Sequence, residues 1–469
     1  MRTWSMRPWT VLVTCVALAG CGGDDTGADG DVDADGDVDA GGDADADADG
    51  DTESDGDADS GPPLGRLGDA CEDGEDCESG LCIPEWMLPE IVGGYCSAHC
   101  ELDDPDSCEP GALCVDLGLG VPLCLKQCDG ESDCRDDWDC VGLCLPGQDV
   151  AEVTPSDLLD ATDAVVSGAV AAMDQDRMRE HVAVLSGATE WESPDGPVTI
   201  TSRSVFHEDH DLAVAYLEAA FAGLGLEVEK VDFEWSIEED GETYSGTGRN
   251  IVARLEGVDP DLEPVLITAH YDSSANLDES WDPSADPAPG ASDNASGVVI
   301  ALELARVLVT MAGSEPAPRT FVFALFDAEE LGLLGSYAYV EAMPADTALL
   351  CTLNIDMVAW DLELWPGRYW YAFHPDFSDL ASFDVEAIGE LVPEASPILS
   401  DAVASLMFGG SDHLPFWESG YCATYFSNWP VTGTYHTPGD QVDTYDWPFF
   451  MTVARSAAAV FTARGYRWE

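Results

Sequence analysis

"TFVFALFDAEELGLLGS", residues 320–336, decides how the chain is read. From Thr320 to Phe326 it is apolar or β-branched without the alternation of a half-exposed strand, as expected of a strand buried on both faces. The run ends in Asp327, Glu329 and Glu330. Carboxylates crowded at the end of a buried strand repel one another and lose solvation, so they call for a positive partner. Strands buried on both faces belong to parallel sheets covered by helices, where ligands bind beyond the carboxyl ends.

Working outward, "VLITAHYDSS" begins as a second buried strand at Val265 and ends at His270. "LLCTLNIDMVAW" and "YCATYFS" read as two more strands. "HDLAVAYLEAAFAGLG" (His210–Gly225), "ASGVVIALELARVLVT" (Ala295–Thr310) and Asp446–Arg464 read as helices. The alternation predicts an α/β domain with a largely parallel sheet.

Charged residues collect at the strand ends. His270 and Asp272 follow one strand, Glu329 and Glu330 a second, and Asp356 a third. Asp293 lies in "GASDNASG" ahead of a helix, and His436 in "YHTPGD". Imidazoles with carboxylates suit zinc, and a thiolate set is absent. Two centres ~3.5–4 Å apart could share a bridging carboxylate. With Glu330 on a metal, its neighbour Glu329 is left to take a proton from water. Asp272 is placed to accept the second imidazole N–H of His270 and fix its tautomer.

The set "HYDSS", "GASDNASGV", "FDAEELGLLGS", "NIDMV", "GSDHLPF" and "YHTPGD", in this order, resembles the two-zinc exopeptidases that include bacterial leucyl aminopeptidase and aminopeptidase Y. Glutamate carboxypeptidase II, glutaminyl cyclase and the catalytically silent transferrin receptor are relatives of that family. The resemblance runs from about Met178 to the C-terminus. It implies a mixed-sheet α/β/α sandwich and two Zn2+ per chain. It puts one zinc on His270 and Asp356 and the other on Glu330 and His436, with Asp293 bridging. Glu329 would be the general base, and Tyr435 a hydrogen-bond donor to the oxyanion.

The implied activity is removal of N-terminal residues from peptides. A dipeptidase or carboxypeptidase, a cyclase-like enzyme or a silent surface receptor are the alternatives. His413 competes with His436 for the last ligand position. The family pattern favours His436, leaving His413 and Asp412 to shape the pocket wall. His207 and His210 are expected on the surface at a helix start. Two features depart from the family: its Gly-Arg segment is reduced to Arg203, and an acidic insertion, "ANLDESWDPSADPAPG", separates His270 from Asp293.

The N-terminal third is built differently. Residues 1–20 read as a signal peptide, with Leu18–Cys21 forming a lipobox whose Cys21 would carry the lipid. Residues 21–63 are an Asp/Gly/Ala-rich linker with too little apolar surface to fold. Its D-x-D-x-D-G runs lack the ligand and flanking helices of a calcium loop. Residues 64–150 hold twelve of the 16 cysteines and read as a disulfide-rich module of six bridges. Within it Cys96, Cys100, Cys108 and Cys114 recur as Cys124, Cys128, Cys134 and Cys140, with Cys71, Cys77 and Cys82 as a partial copy. A second linker, 151–177, leads to the exopeptidase domain, 178–469.

Pairing of Cys351 with Cys422 stays open. The net charge of −76 disfavours nucleic acid and anionic lipid heads. The expected location is the bacterial cell envelope, with the membrane met only through Cys21 and a cell-surface ligand left open for the cysteine-rich module.

Overall fold

The computed structural model describes residues 64–83, 94–100, 107–115, 123–128, 131–135, 138–140, 144–146 and, with short gaps, 164–467. The signal peptide, the lipobox and the linker with its calcium-like runs lie outside the described residues.

In the cysteine-rich segment the bridges Cys71–Cys82, Cys77–Cys96, Cys100–Cys114, Cys108–Cys124 and Cys134–Cys144 accompany short two-stranded ribbons. Cys128 is bonded as well. The pairing corrects the phase of the repeat. The first two units each take four cysteines, first to third and second to fourth, so Cys96 closes the first unit instead of opening the second. Cys124 likewise closes the second unit.

Eight strands form the central sheet: β1 (Glu227–Glu239), β2 (Glu242–Leu255), β3 (Val265–His270), β4 (Phe321–Phe326), β5 (Cys351–Asp356), β6 (Arg368–Phe373), β7 (Ser396–Asp401) and β8 (Ala423–Ser427). Their order is β7-β6-β8-β5-β3-β4-β2-β1. The central β8, β5, β3 and β4 run parallel, while β2 and β6 pair antiparallel with that block. The sheet is therefore mixed, with a parallel centre.

Alternate side chains enter two cores. Val265, Ile267, Phe321 and Phe323 face a large core with the helices Ser296–Ala312 and Trp447–Tyr466, whereas Leu266, Val322 and Ala324 face Val340 and Phe416 on the other side. This is the α/β/α sandwich. Ala291–Ala312 is apolar and long enough to span a bilayer by composition, but 72% of its best window is buried in this core.

One expectation changes and one open question closes. Ala164–Ala171 is a helix whose Val166, Ala169 and Val170 are buried against the domain, so the folded unit begins before the linker expected at 151–177 ends. Cys351 and Cys422, at the starts of the adjacent strands β5 and β8, are disulfide-bonded.

Candidate metal centre

The carboxyl ends of β3, β4 and β5 place His270, the 327–330 turn and Asp356 side by side. Tight backbone geometry delivers these groups. Ala328, Met357 and His436, each at or next to a site residue, lie at φ 56°, 54° and 49°, in the left-handed region that costs a side-chain-bearing residue energy. Gly297 explains how the following helix gets close enough. A Cβ there would sit 2.2 Å from the Ile355 carbonyl oxygen and 2.9 Å from Ala269 Cβ, so only glycine lets the helix touch both strands beneath the site.

Asp293 stands at the centre, next to a cis Asp293–Asn294 peptide. Its Oδ1 is 3.2 Å from His270 Nε2 and its Oδ2 is 3.0 Å from His436 Nε2. His270 Nε2 is also 3.3 Å from Asp356 Oδ1, and His436 Nε2 is 3.0 Å from Glu330 Oε2. Donor atoms thus form two groups sharing one carboxylate. Tetrahedral ligands at zinc distances are separated by about 3.3 Å, so the spacing and the donor types fit that ion. Glu329 Oε2 lies further out, 3.9 Å from His270 Nε2.

Electrostatics agree with a cation site. His270, Asp272, Asp293, Asp356 and Asp412 are each at most 4% exposed, and Glu329 and Glu330 are half-buried beside them. Burial, with Asp356, Glu330 and Asp412 nearby, raises the Glu329 pKa well above the usual range despite His270. Burial likewise raises Glu330 and lifts Asp412 to about 7. Burial opposes charge on His270 and His436, but the facing carboxylates outweigh it and raise both well above normal. Asp293, between the two imidazoles, is held low although burial pushes the other way. Carboxylates outnumber imidazoles, and divalent cations would relieve that excess.

Supporting contacts hold the set in place. Asp272 accepts the backbone N–H groups of Glu329 and Glu330 at 3.1 and 3.2 Å. It also lies 3.4 Å from His270 Nδ1, close enough to favour the expected tautomer although the angle leaves no formed hydrogen bond. Ser411 donates to Asp356 at 2.8 Å, at the end of a chain through Asn354 and Thr268. Asp440 accepts from the Ser292 and Asp293 amides, both at 2.9 Å. Arg203, fully buried, donates to the carbonyl groups of Leu185, Tyr271, Pro289 and Gly290 and so ties the loops together. Tyr435 stacks on His436 with ring centres 3.8 Å apart. Its phenol is kept protonated by burial and by Asp293, Glu330 and Glu329.

All eight expected site residues therefore converge. His413 is buried against Tyr425, with centroids 4.2 Å apart, and burial lowers its pKa to about 3. His207 and His210 are corrected: their side chains are 8% and 13% exposed, so neither is a surface residue. His210 Nε2 lies 3.1 Å from Asp327, so the positive partner of that carboxylate is an imidazole rather than a metal. Sequence reading assigned no role to Asn276, Ser411 or Asp440. The available signals were the motifs "GSDHLPF" and "YHTPGD", which contain Ser411 and Asp440, and Asn354, a polar residue inside a buried strand.

The parallel strands of a mixed sheet in an α/β/α sandwich thus end beside two imidazoles and a cluster of carboxylates, a donor set suited to a metal. Residues 250–461 match the model of Peptidase family M28. It is 33% identical over 196 residues to aminopeptidase YwaD of Bacillus subtilis, covering 39% of this chain and 37% of that protein. It is 26% identical over 261 residues to LpqL, a probable lipoprotein aminopeptidase of Mycobacterium tuberculosis, covering 54% of this chain and 47% of that protein. The chain thus spans less than half the length of these two relatives. The fold resembles that of BSAP, a zinc aminopeptidase from Bacillus subtilis, with a TM-score of 0.51 and 18% identity over 63% of this chain and 97% of the other.

Proposed function

We propose that the protein is an exported zinc aminopeptidase holding two zinc ions per chain. His270 and Asp356 would hold one ion and His436 and Glu330 the other, with Asp293 available to both. The observation carrying this reading is the position of the two Asp293 oxygens, 3.2 and 3.0 Å from different imidazoles.

Zinc bound there would supply Lewis acidity for the scissile carbonyl and for a water whose pKa such an ion lowers to about 7. Glu329 takes a proton from the attacking water and delivers it to the leaving amine. Tyr435 donates to the carbonyl oxygen as charge develops there. Asp272 positions His270 and the Glu329–Glu330 backbone. The carboxylate excess attracts the free ammonium of a peptide N-terminus.

The same reading divides the chain into a signal peptide at 1–20, a linker at 21–63 behind a lipidated Cys21, a disulfide-rich module at 64–150, and a catalytic domain that includes the helix Ala164–Ala171. Similarity to LpqL, a probable lipoprotein aminopeptidase, supports an envelope location. The cysteine-rich module serves as a spacer or binds a cell-surface ligand.

The test is hydrolysis of free-amine and N-acetylated aminoacyl-anilides by chelated and zinc-restored protein. Zinc-dependent cleavage of the free-amine substrates alone is expected. Equal cleavage of the acetylated substrates, or cleavage unaffected by chelation, would sink the reading.

A further inference from the structure

The acidic insertion between His270 and Asp293 does not simply extend into solvent. Its first residues return to the site. Asn276 Oδ1 lies 3.0 Å from His436 Nδ1, and the Leu277 N–H donates to the His436 carbonyl oxygen at 3.0 Å. These two contacts grip the ring and the backbone of a residue held at φ 49°. With Nδ1 donating to an amide oxygen, Nε2 is the nitrogen turned toward Asp293 and Glu330, each 3.0 Å away, where a bound cation would take the place of its proton.

The insertion is itself well anchored. Trp281 Nε1 donates to the Asp286 carbonyl at 3.3 Å, and the Asp282 amide donates to the Asp286 carboxylate at 2.9 Å. At its far end the Ala288 N–H donates to the Thr201 carbonyl, and Arg203 holds Pro289 and Gly290. Asn276 therefore projects from a braced loop.

We infer that Asn276 is a positioning residue for zinc on the His436 side: its amide oxygen fixes the tautomer and ring direction of His436, while Leu277 fixes its backbone. The inference rests on the zinc reading above and extends it to a residue outside the ligand set. Hydrogen-bond partners of ligand histidines typically change metal affinity by ~10–100-fold. Asn276 is exposed, and an exposed hydrogen bond contributes little to folding, so its loss is to be read at zinc rather than in stability.

The experiment counts zinc and measures its affinity by chelator competition, using full chain stripped of metal with its disulfides intact. Wild type is expected to hold two equivalents. Asn276→Leu, which keeps the size but accepts no hydrogen bond, should hold one equivalent unchanged and the other ~10–100-fold more weakly. Asn276→Asp, which still accepts, should hold both. In a His436→Ala background Asn276→Leu should change nothing further. Thermal melts in chelator check that all variants fold alike.

Two tight equivalents in Asn276→Leu would overturn the inference and leave the zinc reading standing. Equal weakening by Asn276→Asp, or the same loss without His436, would overturn it as well. Wild-type protein that binds no zinc would overturn both.

Discussion

Asp327 and Glu329 are two residues apart and answer to different partners. Asp327 accepts from the Arg249 amide at 2.8 Å and faces His210 at 3.1 Å, while Glu329 looks into the site. His210 is buried, which opposes its charge, but Asp327 and the Arg203 carbonyl raise its pKa from 6.5 to about 9. A group raised in the folded state adds stability below its unfolded pKa and loses it as pH climbs through the folded value. Wild type should therefore lose roughly 3 kcal/mol relative to His210→Gln between about pH 6.5 and 9.5. Urea unfolding across that range would read the change, and parallel curves would contradict it. The ligand types were legible because each terminates a recognisable strand or sits in a recognisable loop. Their supports were not. Ser411, although inside "GSDHLPF", meets Asp356 across 55 residues and Asn276 meets His436 across 160, and nothing local says which distant group either residue contacts.

At the scale of elements, the inner strands were readable because burial on both faces keeps charged residues out of β3, β4 and β5 until their carboxyl ends. The outer strands were not. In β1 a glutamate or aspartate recurs beside Val228, Phe233, Trp235 and Ile237, so its acidic character hides a strand paired along its full length with β2. That hairpin also packs Trp235 against Ala328 in the turn bearing Glu329 and Glu330. One close approach between elements beneath the site is at Gly297, where the helix meets β3 and β5. Gly297→Ala would place a methyl 2.2 Å from the Ile355 carbonyl oxygen, lifting the helix and shifting Asp293 and Asp356 apart. Overpacking of this kind costs about 1–3 kcal/mol or more. We expect a lower urea midpoint together with weaker zinc retention. Stability and zinc binding both equal to wild type would show that the contact does not govern the site.

At the scale of the molecule, cysteine spacing predicted a disulfide-rich module but set its repeat out of phase, because spacing fixes a period and not a starting point. Only the interlocked pairing shows where each unit begins. The peptidase domain begins earlier than expected for a similar reason. Ala164–Ala171 is short, small-residue-rich and weakly patterned, and it becomes a helix through its packing against Trp447–Tyr466. The central claim is that this domain holds two zinc ions on five residues and uses Glu329, which stays off the metal, as its base. The most direct measurement compares zinc content and hydrolysis of a free-amine aminoacyl-anilide in wild type and Glu329→Gln. The account predicts two zinc ions in both proteins and a ~10^2–10^4-fold lower rate in the variant. Undiminished hydrolysis by Glu329→Gln, or fewer than two zinc ions in the wild type, would contradict it.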